Sequence, residues 1–337
     1  MGQQRRGGKT GDSAADHDHA GRVQGRCCDQ AMLATAPDSL RMDARLRQVL
    51  TGTDGPLEGA TIVSSDPVGG GCIHQAWRLR LSDGQQLFAK SGVREALDLF
   101  EVEAEALEAL HLYADADLLV VPRPLALLAT QDAAVLLLPW LDLGGVDQTS
   151  LGRGLALLHQ RSAEASTGGF GWGRDGYIGA GPQPGGWRAS WGTCFVELRL
   201  KPQLELAVER GLISARTDQL MQRLEDLLNG LEVKPSLVHG DLWGGNAGVL
   251  QDGRATIYDP ASWWADPEVD LAMTCMFGGF SDAFRRGYRS VCTRKTGAED
   301  RVEIYNLYHL LNHANLFGGS YCKQSEASLK RLARELT

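Results

Sequence analysis

The 337-residue chain carries 43% hydrophobic and 23% charged residues, the balance of an ordinary water-soluble protein with enough length for two lobes, each with its own core. No run of about 18 apolar residues offers a membrane-spanning helix, and a formal net charge of -8 disfavours a nucleic-acid or anionic-membrane surface. Seven cysteines form no CxxC pair and no apolar signal region opens the chain, so the expected compartment is the reducing cytoplasm.

Residues 1–38 are rich in Gly, Asp, Arg and Gln without a sustained hydrophobic period, and are expected to form a disordered leader that activity does not need. At Met42 an apolar-periodic stretch begins with Leu46, Val49 and Leu50, and the functional chain is expected to start near there. From Thr61 to Lys90 the pattern turns strand-like: Trp77, Leu79 and Leu81 alternate with polar residues, Ser82-Asp83-Gly84 supplies a turn, and Leu87-Phe88-Ala89-Lys90 returns. Helical period follows over 97–112, after which Pro122 and Pro124 break the chain ahead of two apolar strands, 125–129 and 133–138. These elements predict a small antiparallel β lobe with one main helix over residues 42–140. Beyond Asp142-Leu143-Gly144-Gly145, helix-compatible spacing dominates over 150–161, 188–210, 214–229, 268–277, 280–292 and 301–316, interrupted by short β runs between Leu237 and Asp259. The second lobe, residues 141–337, is thus expected to be larger and α-rich, and the whole a two-lobed α+β fold.

The run His239-Gly240-Asp241-Leu242-Trp243-Gly244-Gly245-Asn246 sets an Asp and an Asn five positions apart, and the strand Ala255-Thr256-Ile257-Tyr258 then delivers Asp259. Alone, such a loop is an oxygen-rich turn, the commonest use of Asp, Asn and Gly. The same residue types meet the needs of phosphoryl transfer from ATP, which requires a carboxylate to orient and deprotonate the attacking hydroxyl and hard oxygen ligands to hold Mg2+ against the phosphates. Asp241 fits the first role; Asn246 and Asp259 fit the second. Lys90 ends a strand seven residues before the helix in which Phe100, Glu103, Leu107 and Leu110 share one face. A carboxylate in that apolar stripe needs a partner, and Lys90 is the candidate, forming the pair that holds nucleotide phosphates in a kinase small lobe.

Gly69, Gly70 and Gly71 precede the hairpin, where a flexible turn can lay main-chain N–H groups over phosphates, although the run matches neither GxGxxG nor the Walker spacing and reads equally as a plain turn. Cys72 lies in that turn, and neighbouring N–H groups with Lys90 would lower a thiol pKa, making it a candidate redox switch beside the plainer reading of a small inert residue. Past the strand at 133–138, Pro139 keeps a carbonyl and Leu141 an N–H for the adenine edge. Trp243 is the first candidate to stack on a sugar face, and His309, Asn312 and His313 form a polar helical stripe expected along the same cleft. Asp270 reads as a structural anchor for the loop of Asp241.

In this order the motifs resemble the fructosamine/ketosamine-3-kinase family, relatives of the aminoglycoside phosphotransferases within the protein-kinase-like fold. The likeness runs from about Met42 to the C-terminus and is carried by GGGCI (69–73), FGWGRDGYIGAGPQP (170–184), HGDLWGGN (239–246), DPASWWADPEVDLAMTCMFGGF (259–280) and YHLLNHANLFGG (308–319). It implies ATP-dependent phosphorylation of the C3 hydroxyl of a sugar attached to an amine as a ketoamine. It also implies repair: in the enaminol tautomer the C3 phosphate is an allylic leaving group, and its elimination with imine hydrolysis frees the amine. The resemblance gives Asp241 the role of base, Asn246 and Asp259 the metal positions, and Lys90 with Glu103 the nucleotide-holding pair. Pro139 stands where the family commonly has an acidic hinge residue, Cys275 interrupts a stretch that usually carries Glu, and Tyr177-Ile178-Gly179-Ala180-Gly181 departs from the usual asparagine-containing version. Two other readings stay open on the residues themselves: phosphotransfer to an aminoglycoside- or choline-type hydroxyl, and a nucleotide-binding pseudokinase. The expected partner is a small or protein-bound ketosamine, with neither nucleic acid nor membrane, on a monomer or homodimer.

Overall fold

The computed structural model describes residues 42, 44–69, 74–214, 217–293 and 295–336. Helix α1 (Ala44–Thr51) is followed by β1 (Ile62–Pro67), β2 (Gln75–Leu81), β3 (Gln86–Val93), helix α2 (Leu97–Tyr113), the short β4 (Leu119–Val120), β5 (Ala126–Ala129) and β6 (Ala133–Pro139). Five of these strands form an antiparallel sheet in the order β1-β2-β3-β6-β5. The period-2 alternation sorts its two faces. Trp77, Leu79, Leu81, Leu87, Ala89, Val135 and Leu137 turn toward α1 and pack with Leu46 and Leu50. Leu136 and Leu138 turn the other way, onto Phe100, Leu107 and Leu110 of α2. Lys90, one residue past Ala89, therefore projects on the α2 side.

The larger lobe begins with α3 (Thr149–Ala165) and four short strands, β7 (Phe170–Trp172), β8 (Gly176–Ile178), β9 (Gly181–Gln183) and β10 (Gly186–Arg188). Helix α4 (Trp191–Phe195) runs through a π-helical turn, Val196–Leu200, into α5 (Lys201–Glu209), and α6 (Asp218–Asn229) follows. Strands β11 (Ser236–Val238), β12 (Ala247–Val249), β13 (Ala255–Ile257) and β14 (Trp263–Ala265) lead to α7 (Glu268–Met273), α8 (Asp282–Arg289), α9 (Ala298–Phe317) and α10 (Ser320–Glu335). One core joins Phe195, Trp191, Trp263, Tyr305 and Leu311; Trp191 stacks on Trp263 with ring centroids 5.5 Å apart. A second core spans both lobes, uniting Phe100 and Leu107 of α2 with Leu151, Leu155 and Leu158 of α3 and with Leu237, Leu242 and Ile257 around the loop 239–246.

The structure departs from the sequence expectations in two stretches. Residues 170–188, to which the sequence assigns no strand, hold strand pairs: β7 pairs with β10 and with β14, β8 with β9, and Arg188 lies in β10 instead of opening the helix expected over 188–210. These strands are three residues each and glycine-rich, too short for an alternation to register. Helix α10 was not expected because its residues are mostly polar, with Leu329 and Leu332 making its buried contact.

Candidate functional site

The site is assembled from β3, α2 and the two turns that flank β12 and β13. On β3, Lys90 Nζ donates to Glu103 Oε1 at 2.7 Å and Oε2 at 2.9 Å, and to Asp259 Oδ1 at 2.6 Å. Glu103 is 4% exposed in the middle of α2, on the stripe of Phe100, Leu107 and Leu110. Burial by itself would lower the Lys90 pKa; Asp259 and Glu103 outweigh it and hold the ammonium firmly protonated. Burial pushes the Glu103 carboxyl up, against the opposing pull of Lys90. His74 borders this cluster, its ring edge-on to Phe100 with centroids 4.9 Å apart, and burial followed by the Lys90 charge lowers its pKa.

The loop after β11 is held from beneath. Asp270, fully buried on α7, accepts from the main-chain N–H of His239 at 2.7 Å through Oδ2 and from that of Gly240 at 2.9 Å through Oδ1. His159 of α3 contributes Nε2, 3.1 Å from Oδ2, and its Nδ1 lies 2.9 Å from the Tyr288 hydroxyl. Gly240 has φ +82, and a Cβ there would come within 2.0 Å of Ala261 O, so no other residue fits the turn that presents Asp241. Asn246 closes the loop: its Nδ2 donates to Asp241 O at 2.9 Å, Asp241 Oδ2 at 3.1 Å and Asp259 O at 3.3 Å. Asp259 sits at φ +60, a left-handed conformation that Asp tolerates better than most residues, which turns its side chain back toward Lys90.

Burial, then the neighbouring Asp259 charge, raises the Asp241 pKa to about 7, against the lowering hydrogen bond from Asn246. A carboxyl so placed is matched to accepting a proton near neutrality. With Asn246 Nδ2 committed to the loop, its amide oxygen is the atom left for a cation, and the Asp259 side chain is 54% exposed to the cleft. Two oxygen donors suit Mg2+, which completes its shell with water and substrate phosphates instead of an all-protein cage. Among the described residues no group of three or more His, Cys, Asp or Glu side chains is arranged for a metal.

At the lobe junction, the Trp140 N–H is spent on Gln86 O at 3.4 Å. Alternation therefore turns the Pro139 carbonyl and the Leu141 N–H to the opposite side, beyond the point where β5 stops pairing at Leu137. Pro139 costs the sheet nothing there, because its nitrogen faces away from β3. Trp243 is half-buried, with its ring lying over Gly245 and edge-to-face on Phe277 at 6.4 Å; a Cβ at Gly245 would strike the indole at 2.3 Å. His309 and Asn312 are a different matter. They are 0% and 2% exposed, and Asn312 lies under the β8–β9 hairpin, where its Nδ2 donates to Ile178 O at 3.3 Å. The expectation that they touch substrate is corrected by this burial, which also lowers the His309 pKa to about 3. The residue of that stripe that reaches the surface is His313, 5.1 Å from the Phe277 ring. Gly69 follows β1, with open space where a Cβ would stand, whereas Gly70, Gly71 and Cys72 lie outside the described residues.

The family model for fructosamine kinase matches residues 44–335. The chain belongs to the fructosamine kinase family. It is 42% identical over 271 residues to the probable ketoamine kinase of Synechocystis, covering 79% of this chain and 89% of the relative. Among solved structures, a protein of Haemophilus somnus assigned as a fructosamine-3-kinase superposes with a TM-score of 0.73 at 27% identity, over 81% of this chain and 92% of that one. An amicoumacin kinase shares the fold at a TM-score of 0.52 and 13% identity, over 88% of this chain and 94% of that one. For this fructosamine kinase family member the fold is therefore the two-lobed, protein-kinase-like α+β architecture.

His159 and Tyr288, which brace Asp270, were not among the residues that the sequence pointed to. The signal for His159 was present: it falls four residues after Leu155, inside the buried stripe of α3, where an imidazole needs polar partners. Tyr288 left none, since its place beside His159 is set by the close crossing of α8 and α3.

Proposed function

We propose that this protein is an ATP-dependent ketosamine kinase that phosphorylates the C3 hydroxyl of fructosamine- or ribulosamine-type adducts. The observation that carries the reading is the convergence, within this family's fold, of Lys90 and Glu103 from the smaller lobe with Asp241, Asn246 and Asp259 from the larger one. In this mechanism Asp241 accepts a hydrogen bond from the C3 hydroxyl and takes its proton as the oxygen attacks the γ-phosphorus. The bond from phosphorus to the β–γ bridging oxygen breaks and ADP leaves. Lys90, fixed by Glu103, binds phosphate oxygens, and the Pro139 carbonyl with the Leu141 N–H faces adenine. Mg2+ on Asn246 and Asp259 would supply positive charge against the phosphates. Trp243, Phe277 and His313 offer the aromatic wall for the sugar and its amine.

The 3-phosphorylated product then eliminates phosphate and releases the amine, so the activity serves deglycation, in the cytoplasm by this reading. The division of the chain near residue 140 and a functional start near Met42 belong to the same proposal; a chain lacking residues 1–38 is expected to keep full turnover. The deciding experiment incubates the protein with Mg2+-ATP and a panel of ketoamines, an aminoglycoside and choline, and locates the transferred phosphate. Phosphate on C3 of a ketoamine is the expected result, and Asp241→Asn should lower turnover on the order of 10²–10⁴. Transfer to the aminoglycoside or choline with none to any ketoamine would overturn the substrate assignment, and undiminished turnover by Asp241→Asn would remove the base.

A further inference from the structure

The segment 170–184, part of what marks the chain as a family member, contains no residue of the proposed chemistry. Its role is visible in what it touches. Between β7 and β8 the chain projects Arg174, and β8 carries Tyr177; both meet α2, the helix of the smaller lobe that bears Glu103. Arg174 Nη1 lies 3.1 Å from Glu105 Oε1 and 3.6 Å from Glu101 Oε2, and its Nη2 contacts Asp98. The Tyr177 hydroxyl donates to Asp98 Oδ2 at 2.8 Å. Beneath them Gly176 approaches Val102 so closely that a Cβ would sit 3.0 Å from Cγ1.

Asp98, Glu101 and Glu105 fall on one face of α2 by i, i+3, i+7 spacing. At about 100° per residue, Glu103 points roughly 140–160° away from all three. A cation gripping this acidic face from the larger lobe therefore presses the opposite face, with Glu103, onto Lys90. We propose that Arg174, assisted by Tyr177, is a positioning residue that docks α2 across the lobe boundary and so sets the Lys90–Glu103 pair for ATP. Single exposed ion pairs contribute little, but one guanidinium shared by three carboxylates also cancels their mutual repulsion, which its removal restores. The inference rests on the reading that Lys90 and Glu103 hold nucleotide.

The test is the affinity of the full-length protein for a non-hydrolysable ATP analogue with Mg2+, measured by calorimetry without any acceptor, so that the identity of the sugar substrate does not enter. Arg174→Ala should weaken binding on the order of three- to thirtyfold by depopulating the docked helix. Arg174→Lys should recover part of the loss, and Tyr177→Phe should show a smaller one. Raising salt from about 0.05 to about 0.5 M should narrow the gap between wild type and Arg174→Ala, because exposed charges are screened over about 4 Å at that strength. A general loss of structure would lower the fraction of active sites without changing the affinity of those remaining. Should Arg174→Ala fail to fold, the Lys and Phe variants carry the same comparison. Unchanged affinity in these variants, or a gap indifferent to salt, would overturn the tether; a wild-type protein that binds no analogue would instead overturn the nucleotide reading.

Discussion

Asp270→Asn isolates the scaffold of the loop from its chemistry. In the native protein one carboxylate receives three hydrogens, from His239 N, Gly240 N and His159 Nε2, at 2.7, 2.9 and 3.1 Å, in a fully buried place. An amide keeps one acceptor oxygen and turns an NH2 toward the remaining donors, so at least one buried N–H loses its partner and faces another donor. Hydrogen bonds to a charged acceptor contribute about 1.5–3 kcal/mol, and an orphaned buried donor costs about 1–3 kcal/mol, so a loss of roughly 2–4 kcal/mol is expected after crediting the removed buried charge. That is a large share of the roughly 5–15 kcal/mol typical of a folded domain. Urea unfolding at pH 7 measures it. Burial alone would raise the Asp270 pKa, but the His159 hydrogen bond and the other donors win and hold it below the ordinary carboxylate value. Its stabilisation is therefore full above the ordinary carboxylate value and fades as pH falls through the lowered one, so the gap between variant and wild type should close in acid. Turnover should drop on the order of 10–100-fold, since Asp241 follows Gly240 directly, while nucleotide affinity, set by Lys90 and Glu103, holds. Stability within about 0.5 kcal/mol of wild type, a gap constant with pH, or unaltered turnover would refute the anchoring argument.

Lys90→Met leaves Glu103 buried without its countercharge and should cost about 3–5 kcal/mol in chemical denaturation; Lys90→Met with Glu103→Gln should recover most of that stability without restoring ATP turnover. Gly240→Ala should accumulate poorly or unfold at a markedly lower temperature in a thermal melt, because its Cβ would overlap Ala261 O. Gly245→Ala should leave the melt nearly unchanged yet displace the Trp243 ring, visible as altered tryptophan fluorescence and a raised KM for the ketoamine with KM for ATP constant.

The fold was most legible where pattern and burial coincide. The hairpin alternation at Trp77, Leu79 and Leu81 and the stripe of Phe100, Leu107 and Leu110 each bury the expected face, since one apolar face per element is what a two-layer lobe requires. Glu103 was readable for the same reason: a carboxylate among apolar neighbours announces a partner, and Lys90 at the end of the preceding strand was the obvious candidate. Short glycine-rich strands and the polar α10 were not legible, because what stabilises them is pairing and docking with distant segments instead of their own periodicity.

The candidate site divides along the same line. By sequence alone, the identities and order of Lys90, Glu103, Asp241, Asn246 and Asp259 pointed to phosphoryl transfer, since charge and donor type belong to the residue itself. Which of His309, Asn312 and His313 meets the cleft, that Asp270 leans on His159 and Tyr288, and that Arg174 reaches from the larger lobe to α2 were decided by tertiary structure. Exposure, hydrogen-bond partnership and the effective field at a carboxylate are properties of what packs around a side chain, and elements up to 169 positions apart in the chain supply it.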